Sequence, residues 1–435
     1  MDRDRIVRLD RAHVWRPYTS SEDHATRDDF IIVETEGPFL IDADGRRYLD
    51  ATASWWCASL GYRHPRLVKA LTKQAAVMPH VGMGGATHPQ AAELAAELVE
   101  VAPKGDRALE RVFFSDDGST SVEVALKMAF QGFAQNGETR RTRFLALPGG
   151  YHGDTIGAMS LGELDEFAAC FEPLLFGKND AEPVQDPSDW GAVFDGLVGE
   201  LEARGDTVAA VVVEPILQGA AGMRLYPAEQ LQRLRRACDA AGCLLIADEV
   251  FTGFGRTGRM WACEHAGVVP DLLCTSKALS GGLLPFAATL ATGAVYDRFR
   301  GDATRALLHG HTFFGNPLGA AVAREVLAVY REEEILAKAQ AKASRVAACF
   351  QRLGELPGAR RARWLGMMGA VDLGDEGYFG TKGWEVWREA KRRGVSLRPL
   401  GDTVYVTPPL NLEDGMLEEL LGVVEGSVGA VLAAG

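Results

Sequence analysis

The chain has 435 residues, 47% hydrophobic and 24% charged, a composition that argues against disorder and has room for two or three domains. Its formal net charge of −13 argues against general binding to nucleic acid or to an anionic membrane, both of which need a basic face. The seven cysteines form no CxxC pair and no cysteine–histidine ligand spacing, the charged start leads into no apolar signal region, and no apolar run reaches spanning length; a reduced, cytoplasmic protein with no metal site is expected.

The first predicted element is a short polar helix, Arg3–His13, stopped by Pro17 in Trp15-Arg16-Pro17-Tyr18-Thr19-Ser20. Ile31–Val33, Pro38–Ile41, the turn Asp42-Ala43-Asp44-Gly45 and Arg46–Asp50 follow hairpin logic, so a small antiparallel unit precedes the main fold. Ser54-Trp55-Trp56 then lies in a loop-like setting closed by His64-Pro65. Adjacent tryptophans cannot share one face of a strand or helix, so at least one faces a cavity, an interface or solvent; core packing and pocket lining both remain open. Pro65–Met78 and His88–Val101 carry helical periodicity around a glycine-rich connector.

The strand Arg111–Ser115 is broken by Asp116-Asp117-Gly118-Ser119-Thr120-Ser121 before the helical run Val122–Gln131. Strand, glycine turn and helix in that order suit a phosphate on the amides of Gly118, Ser119 and Thr120. A plain N-cap accounts for the same residues, and the two acids argue against an anion. The strand Arg143–Leu147 ends in Pro148-Gly149-Gly150-Tyr151-His152-Gly153-Asp154-Thr155, where the ring of Tyr151 suits stacking on a flat cofactor. From Gly162 to about Asp206, Pro173, Pro183 and Pro187 mark loops, and no chemistry is evident.

Val208–Val213 reads as a strand closed by Glu214-Pro215, and Pro227–Ala241 as a helix. The apolar run Cys243–Ala247 then ends in Asp248-Glu249, and a second run, Leu272–Ser276, delivers Lys277. In an open α/β sheet, ligands bind beyond the carboxyl ends of strands. An amine and a carboxylate there suggest a Schiff-base lysine with an aspartate holding a pyridinium nitrogen; a surface lysine and a solvated carboxylate are the plainer alternative. Gly253-Phe254-Gly255-Arg256-Thr257-Gly258 matches the dinucleotide fingerprint, but five residues separate it from the strand, which argues against nicotinamide or flavin. Strand–helix alternation predicts an α/β protein with a mainly parallel, doubly wound sheet. After a long helix near Leu318–Tyr330 and helical sequence to about Leu353, Leu365–Asp372, Gly383–Arg393, Val395–Arg398 and Val404–Val406 predict a second α/β unit.

Taken in order, Gly118-Ser119, Gly150-Tyr151-His152-Gly153-Asp154, Glu214-Pro215, Ala247-Asp248-Glu249-Val250, Ser276-Lys277 and Gly310-His311-Thr312-Phe313 resemble the class III, fold-type I aminotransferases that use pyridoxal 5'-phosphate. The resemblance covers nearly the whole chain, and the joint pattern is specific although each part is not. Trp15–Thr19, Ser54-Trp55-Trp56, Gly149–Asp154 and Leu397-Arg398-Pro399 look most like the biotin-pathway branch, which aminates 8-amino-7-oxononanoate to 7,8-diaminononanoate, usually with S-adenosylmethionine as donor. The resemblance implies a homodimer with active sites at the interface, a large cofactor-binding domain over 61–330, and a small α/β domain from 1–60 and 331–435.

It also implies roles. Lys277 would form the Schiff base and move the proton, Asp248 would hold the pyridine nitrogen, and Tyr151 would stack on the ring. Gly118 and Ser119 would take the phosphate, joined by Thr312 from a partner subunit, with Glu214 near the cofactor. Tyr18, Trp55, Trp56 and Gly310 would line the substrate passage, and Arg398 would bind the far carboxylate. Two positions depart from the family pattern: Asp117, commonly serine, and His311, commonly proline. His311 leaves the donor open between S-adenosylmethionine and lysine. Neighbouring alternatives are an ornithine, 4-aminobutyrate or β-alanine transaminase, or a cofactor-binding regulatory module, which the charge and the lack of a DNA-binding helical unit disfavour.

Overall fold

The computed structural model describes residues 2–26, 30–162, 168–176 and 189–434. Pro183 and Pro187, read as loop markers, lie outside the described residues. The N-terminal hairpin forms as expected: β1 (Ile32–Glu36), β2 (Phe39–Asp42) and β3 (Arg47–Asp50) pair antiparallel in sequence order. The Asp42 carboxylate fixes the turn by accepting from the amides of Asp44 and Arg46, the use of a short acidic side chain that favours such turns.

The central sheet is built from β4 (Leu109–Ser115), β5 (Arg143–Ala146) and β6 (Val208–Val213), with β9 (Leu244–Asp248), β10 (Leu272–Thr275) and β11 (Ala287–Thr292) completing it. A two-strand ribbon, β7 (Leu217–Gln218) with β8 (Arg224–Leu225), lies between β6 and β9 in the chain. The sheet order is β4-β11-β10-β9-β6-β5. β5, β6, β9 and β10 pair parallel, whereas β11 runs antiparallel to both β10 and β4. Two reversals cancel, so β4 points the same way as the parallel set and five strands deliver their carboxyl ends to one edge.

The sequence of β6, Val-Ala-Ala-Val-Val-Val, is buried at every position, as a strand covered on both faces must be. Helices do the covering. The one following β4, Gly118–Ala134, buries Val122, Ala125, Ala129 and Phe133, and the one preceding β9, Ala228–Ala241, buries Leu231, Leu234 and Cys238. The latter stops at Gly242, whose φ of +67° closes the helix and turns the chain into β9. Five of the seven cysteines are buried free thiols, as their apolar surroundings suggest.

In the C-terminal part, β12 (Arg360–Leu365), β13 (Met368–Asp372) and β15 (Thr403–Val406) form an antiparallel sheet. β14 (Val395–Ser396) leaves it and pairs parallel with β3, Ser396 opposite Asp50. One small sheet thus contains strands from both ends of the chain. The dinucleotide-like segment is packed structure. A side chain at Gly255 would strike Leu336, one at Gly253 would meet the Glu249 carbonyl, and buried Arg256 donates to the carbonyls of Met367 and Pro408. No helix among the described residues is long and apolar enough to cross a membrane.

Candidate active site

Beyond the shared carboxyl edge lies a cavity of about 770 Å³, lined by Gly118, Ser119, Tyr151, Glu214, Asp248 and Lys277 together with Trp56, His152 and Phe251. Five stretches of sequence meet there because each ends or follows a strand of the central sheet pointing the same way, and Trp56 joins them from the segment after β3. Asp248 is the last residue of β9 and is 4% exposed. One of its oxygens accepts from the Val250 amide at 3.1 Å and the other from His152 Nδ1 at 2.7 Å. His152 is buried as well. Burial alone would lower its pKa, but the hydrogen bond to Asp248 and the charges of Asp248 and Glu214 outweigh it, and the net shift is upward. The ring therefore supports the Asp248 carboxylate from behind through this hydrogen bond.

Lys277 follows β10 with φ of +41°, a left-handed conformation that costs a non-glycine residue on the order of 1 kcal/mol or more. That backbone turns its side chain into the cavity wall, where Nζ sits 4.6 Å from the centre of the Trp56 ring and 5.8 Å from that of Phe251. Burial lowers the Lys277 pKa, against the opposing pull of Asp248 and Glu214. A desolvated amine among aromatic faces is primed to act as a neutral base or nucleophile.

Glu214, just past β6, is buried, and burial pushes its carboxyl up to about 7. Its two oxygens accept from the amides of Tyr151 (3.1 Å) and Gly219 (2.8 Å), so it fixes the backbone of the Tyr151 turn. The Tyr151 hydroxyl lies 3.3 Å from that of Tyr18, which also donates to Asp154. At the start of the helix Gly118–Ala134, Asp117 is the N-cap and takes the Thr120 amide at 2.9 Å. The first-turn amides of Gly118 and Ser119 have no helical acceptor and line the cavity, so the Asp117 cap leaves them available to a ligand. A side chain at Gly118 would collide with Val250, and one at Gly153 with Ser119. The Ser119 hydroxyl is held by Thr155, 2.7 Å from its Oγ1.

The substrate-side residues divide. Trp56 is buried and donates to the Tyr405 hydroxyl at 3.0 Å; Trp55 is 38% exposed, meets Tyr18 edge-on at 5.8 Å and carries the Arg398 guanidinium at 4.0 Å over its ring. Trp56 is thus both packing and cavity wall, whereas Trp55 lies outside the cavity lining, between Tyr18 and Arg398. Arg398 keeps Nη1 buried with no hydrogen-bond partner among the described residues. Gly310, His311 and Thr312 are exposed in this chain and do not line the cavity; His311 Nε2 lies 3.6 Å from Asp116. Sequence reasoning gave no role to Val250, Phe251 or Tyr405, whose only signal was proximity to Asp248 or an aromatic inside a strand.

The pattern of the family described as "Aminotransferase class-III" matches residues 19–427. The chain is a class III aminotransferase. Among its relatives, the adenosylmethionine-8-amino-7-oxononanoate aminotransferase of Nitratidesulfovibrio vulgaris is 42% identical over 99% of this chain and 83% of that protein. The protein of the same name from Synechococcus elongatus is 42% identical over 95% of this chain and 97% of its own length. The crystal structure of the Methanocaldococcus jannaschii enzyme of that name superposes with a TM-score of 0.93 at 32% identity, covering 99% of both chains. A PLP-bound amine transaminase from an uncultivated Pseudomonas species superposes with a TM-score of 0.88 at 31% identity, covering 97% of this chain and 98% of that one.

The aminotransferase is a PLP-dependent enzyme of the fold-type I architecture. Its own residues fit that cofactor. A desolvated lysine amine has no ion pair among the described residues, a buried carboxylate is backed by a histidine, and a helix start with two amides and a hydroxyl lies on the same cavity. An aldehyde, a ring nitrogen and a phosphate need these three kinds of partner.

Proposed function

We propose that this aminotransferase acts in biotin biosynthesis, converting 8-amino-7-oxononanoate to 7,8-diaminononanoate with S-adenosylmethionine as amino donor, as a cytoplasmic homodimer. The observation that carries the acceptor is Arg398, which stacks on Trp55, the neighbour of the cavity-lining Trp56, and keeps a buried donor without a hydrogen-bond partner among the described residues. A guanidinium there suits the far carboxylate of a long apolar acid. The names of relatives at 42% identity support the same acceptor and donor.

Bound pyridoxal phosphate supplies a carbonyl that captures amines and a ring that takes up the electron pair released when a carbon–hydrogen bond breaks. Lys277 holds the cofactor in the resting enzyme, and its desolvated amine then carries the proton between carbon atoms. Asp248, backed by His152, keeps the ring nitrogen protonated. Gly118 and Ser119 hold the phosphate, and Tyr151, fixed by Glu214 through its backbone, covers the ring. Tyr18, Trp55 and Trp56 line the passage for the methylene chain and exclude water from it. Thr312 of the partner subunit completes the phosphate site, with Gly310 beside it. The exposure of Thr312 in a single chain, next to exposed Leu308 and Phe313, supports this reading. In this scheme the small domain comprises 1–60 and 331–435 and the large domain 61–330.

A single-turnover experiment tests the proposal. S-adenosylmethionine mixed with purified holoenzyme is expected to bleach its visible absorbance, and 8-amino-7-oxononanoate to restore it. Bleaching by lysine alone would move the donor to lysine. Bleaching by 4-aminobutyrate alone would reject the biotin-pathway assignment.

A further inference from the structure

Asp50 ends β3 and has no role in the reaction described above. Its carboxylate is buried and forms no ion pair among the described residues, a costly placement unless donors surround it. Four do. One oxygen accepts from the Thr52 amide (2.8 Å) and hydroxyl (3.0 Å), the other from the Ser54 amide (2.5 Å) and the Tyr62 hydroxyl (2.5 Å). The backbone these bonds hold is unusual: Ala53, Ser54 and Trp56 have φ of +49°, +64° and +68°. Three non-glycine residues in that region within four positions persist only where the surroundings over-determine them. Thr52, which precedes this turn, makes no side-chain cap of its own, so Asp50 acts in its place.

The turn carries Trp56, which lines the cavity over Lys277, and beside it Trp55, which lies under Arg398. The backbone at Asp50 reaches the other half of the same stack. Asp50 pairs with Ser396 across β3 and β14, and the Ala51 amide donates to the Ser396 carbonyl at 2.8 Å, two residues before Arg398. The backbone on either side of Asp50 therefore joins the segment bearing Trp55 to the segment bearing Arg398, through the Leu49 and Ala51 amides on the Gly394 and Ser396 carbonyls.

We propose that Asp50 is a positioning residue for acceptor recognition: its carboxylate holds the positive-φ turn that sets Trp55 against Arg398, and with it the distance from the reacting carbon to the bound carboxylate. The choice of acceptor rests on the function proposed above; the positioning role does not.

The test is a double-mutant cycle of Asp50→Asn with Trp55→Ala. The amide keeps the shape of the carboxylate and gives up one acceptor oxygen. Asp50→Asn is expected to raise the acceptor KM about fivefold, as far as loss of Trp55 itself, while kcat changes less than about twofold. In the Trp55→Ala background the same substitution is expected to leave KM nearly unchanged, because the wall it positions is gone. In the free holoenzyme, Asp50→Asn changes the tryptophan near-ultraviolet circular dichroism. Tyr62→Phe, which removes one donor and leaves the carboxylate, moves KM in the same direction by about twofold and serves if Asp50→Asn does not fold. A full KM effect in the Trp55→Ala background, or unchanged KM and dichroism in both single variants, overturns the proposal. If the wild-type enzyme turns over a different oxo acid, the acceptor assignment fails, and the cycle run with that acid, together with the dichroism, still decides the role of Asp50.

Discussion

The floor and the mouth of the cavity are built on different principles. The floor belongs to strand ends of one sheet: Asp248, His152 and Glu214 are buried and held by hydrogen bonds of 2.7–3.1 Å within a single chain, and Lys277 beside them is desolvated against Trp56 and Phe251. The mouth, Tyr18, Trp55 and Arg398, comes from loops near both ends of the chain, is partly exposed, and is joined chiefly by ring contacts. Chemistry common to a whole family needs fixed charges in a dry setting, and the sheet edge provides it. Selection among substrates needs surfaces that vary without disturbing that edge, and loops carried by the small sheets provide those.

Substitutions that separate floor from mouth test this division. The largest effect belongs to the floor: Lys277→Ala is expected to reduce turnover by about 10⁴-fold or more for every substrate pair, since nucleophile and proton carrier are lost together. Substantial residual activity in a steady-state assay would remove Lys277 from the chemistry. At the mouth, Arg398→Ala is expected to raise the acceptor KM about a hundredfold, the worth of a charged bidentate contact, and to leave the donor half-reaction within about threefold. Equal damage to both half-reactions would abolish the distinction. Trp55→Ala removes one cation–π face, so a rise in acceptor KM of about fivefold is expected, corresponding to ~1 kcal/mol.

The mildest test concerns stability. Burial pushes Glu214 and Glu249 up to about 7, above an ordinary carboxyl near 4.5. A carboxyl whose folded pKa is raised stabilises the fold fully below its unfolded pKa, and that contribution is lost as pH rises through the folded value. Thermal midpoints are therefore expected to fall between about pH 4.5 and 7 from these two groups. Glu249→Gln should flatten part of that slope, whereas Trp55→Ala should leave it unchanged; an unaltered slope in Glu249→Gln would exclude the buried acid as its source.

Much of the floor was legible in the sequence. Val208–Val213 and Leu244–Asp248 read as strands because a parallel strand covered on both faces is apolar throughout, and their ends announced Glu214 and Asp248. The acid and lysine beyond two such strands suggested the chemistry, and the order of the motifs suggested the family. The Gly118 turn was ambiguous because a helix cap and an anion cradle use the same residue types; the structure assigns the cap to Asp117 and the cavity lining to Gly118 and Ser119.

The mouth was legible only as residue types. Alternation told that Trp55 and Trp56 face different ways, but which one faces Lys277 depends on the positive-φ backbone of Ala53–Trp56, which no propensity encodes. Asp50 looked like the end of a hairpin strand, and its four donors were invisible because Tyr62 and the turned amides reach it only after the chain doubles back. The sequence by itself determined the strands, their order of chemistry and the lysine–aspartate pair, because burial and turn formation are local and periodic. Tertiary structure alone decided that Ser396 lies beside Asp50, and so that Arg398 meets Trp55, because that pairing joins residues about 350 apart in the chain by parallel sheet contacts whose register no local pattern specifies.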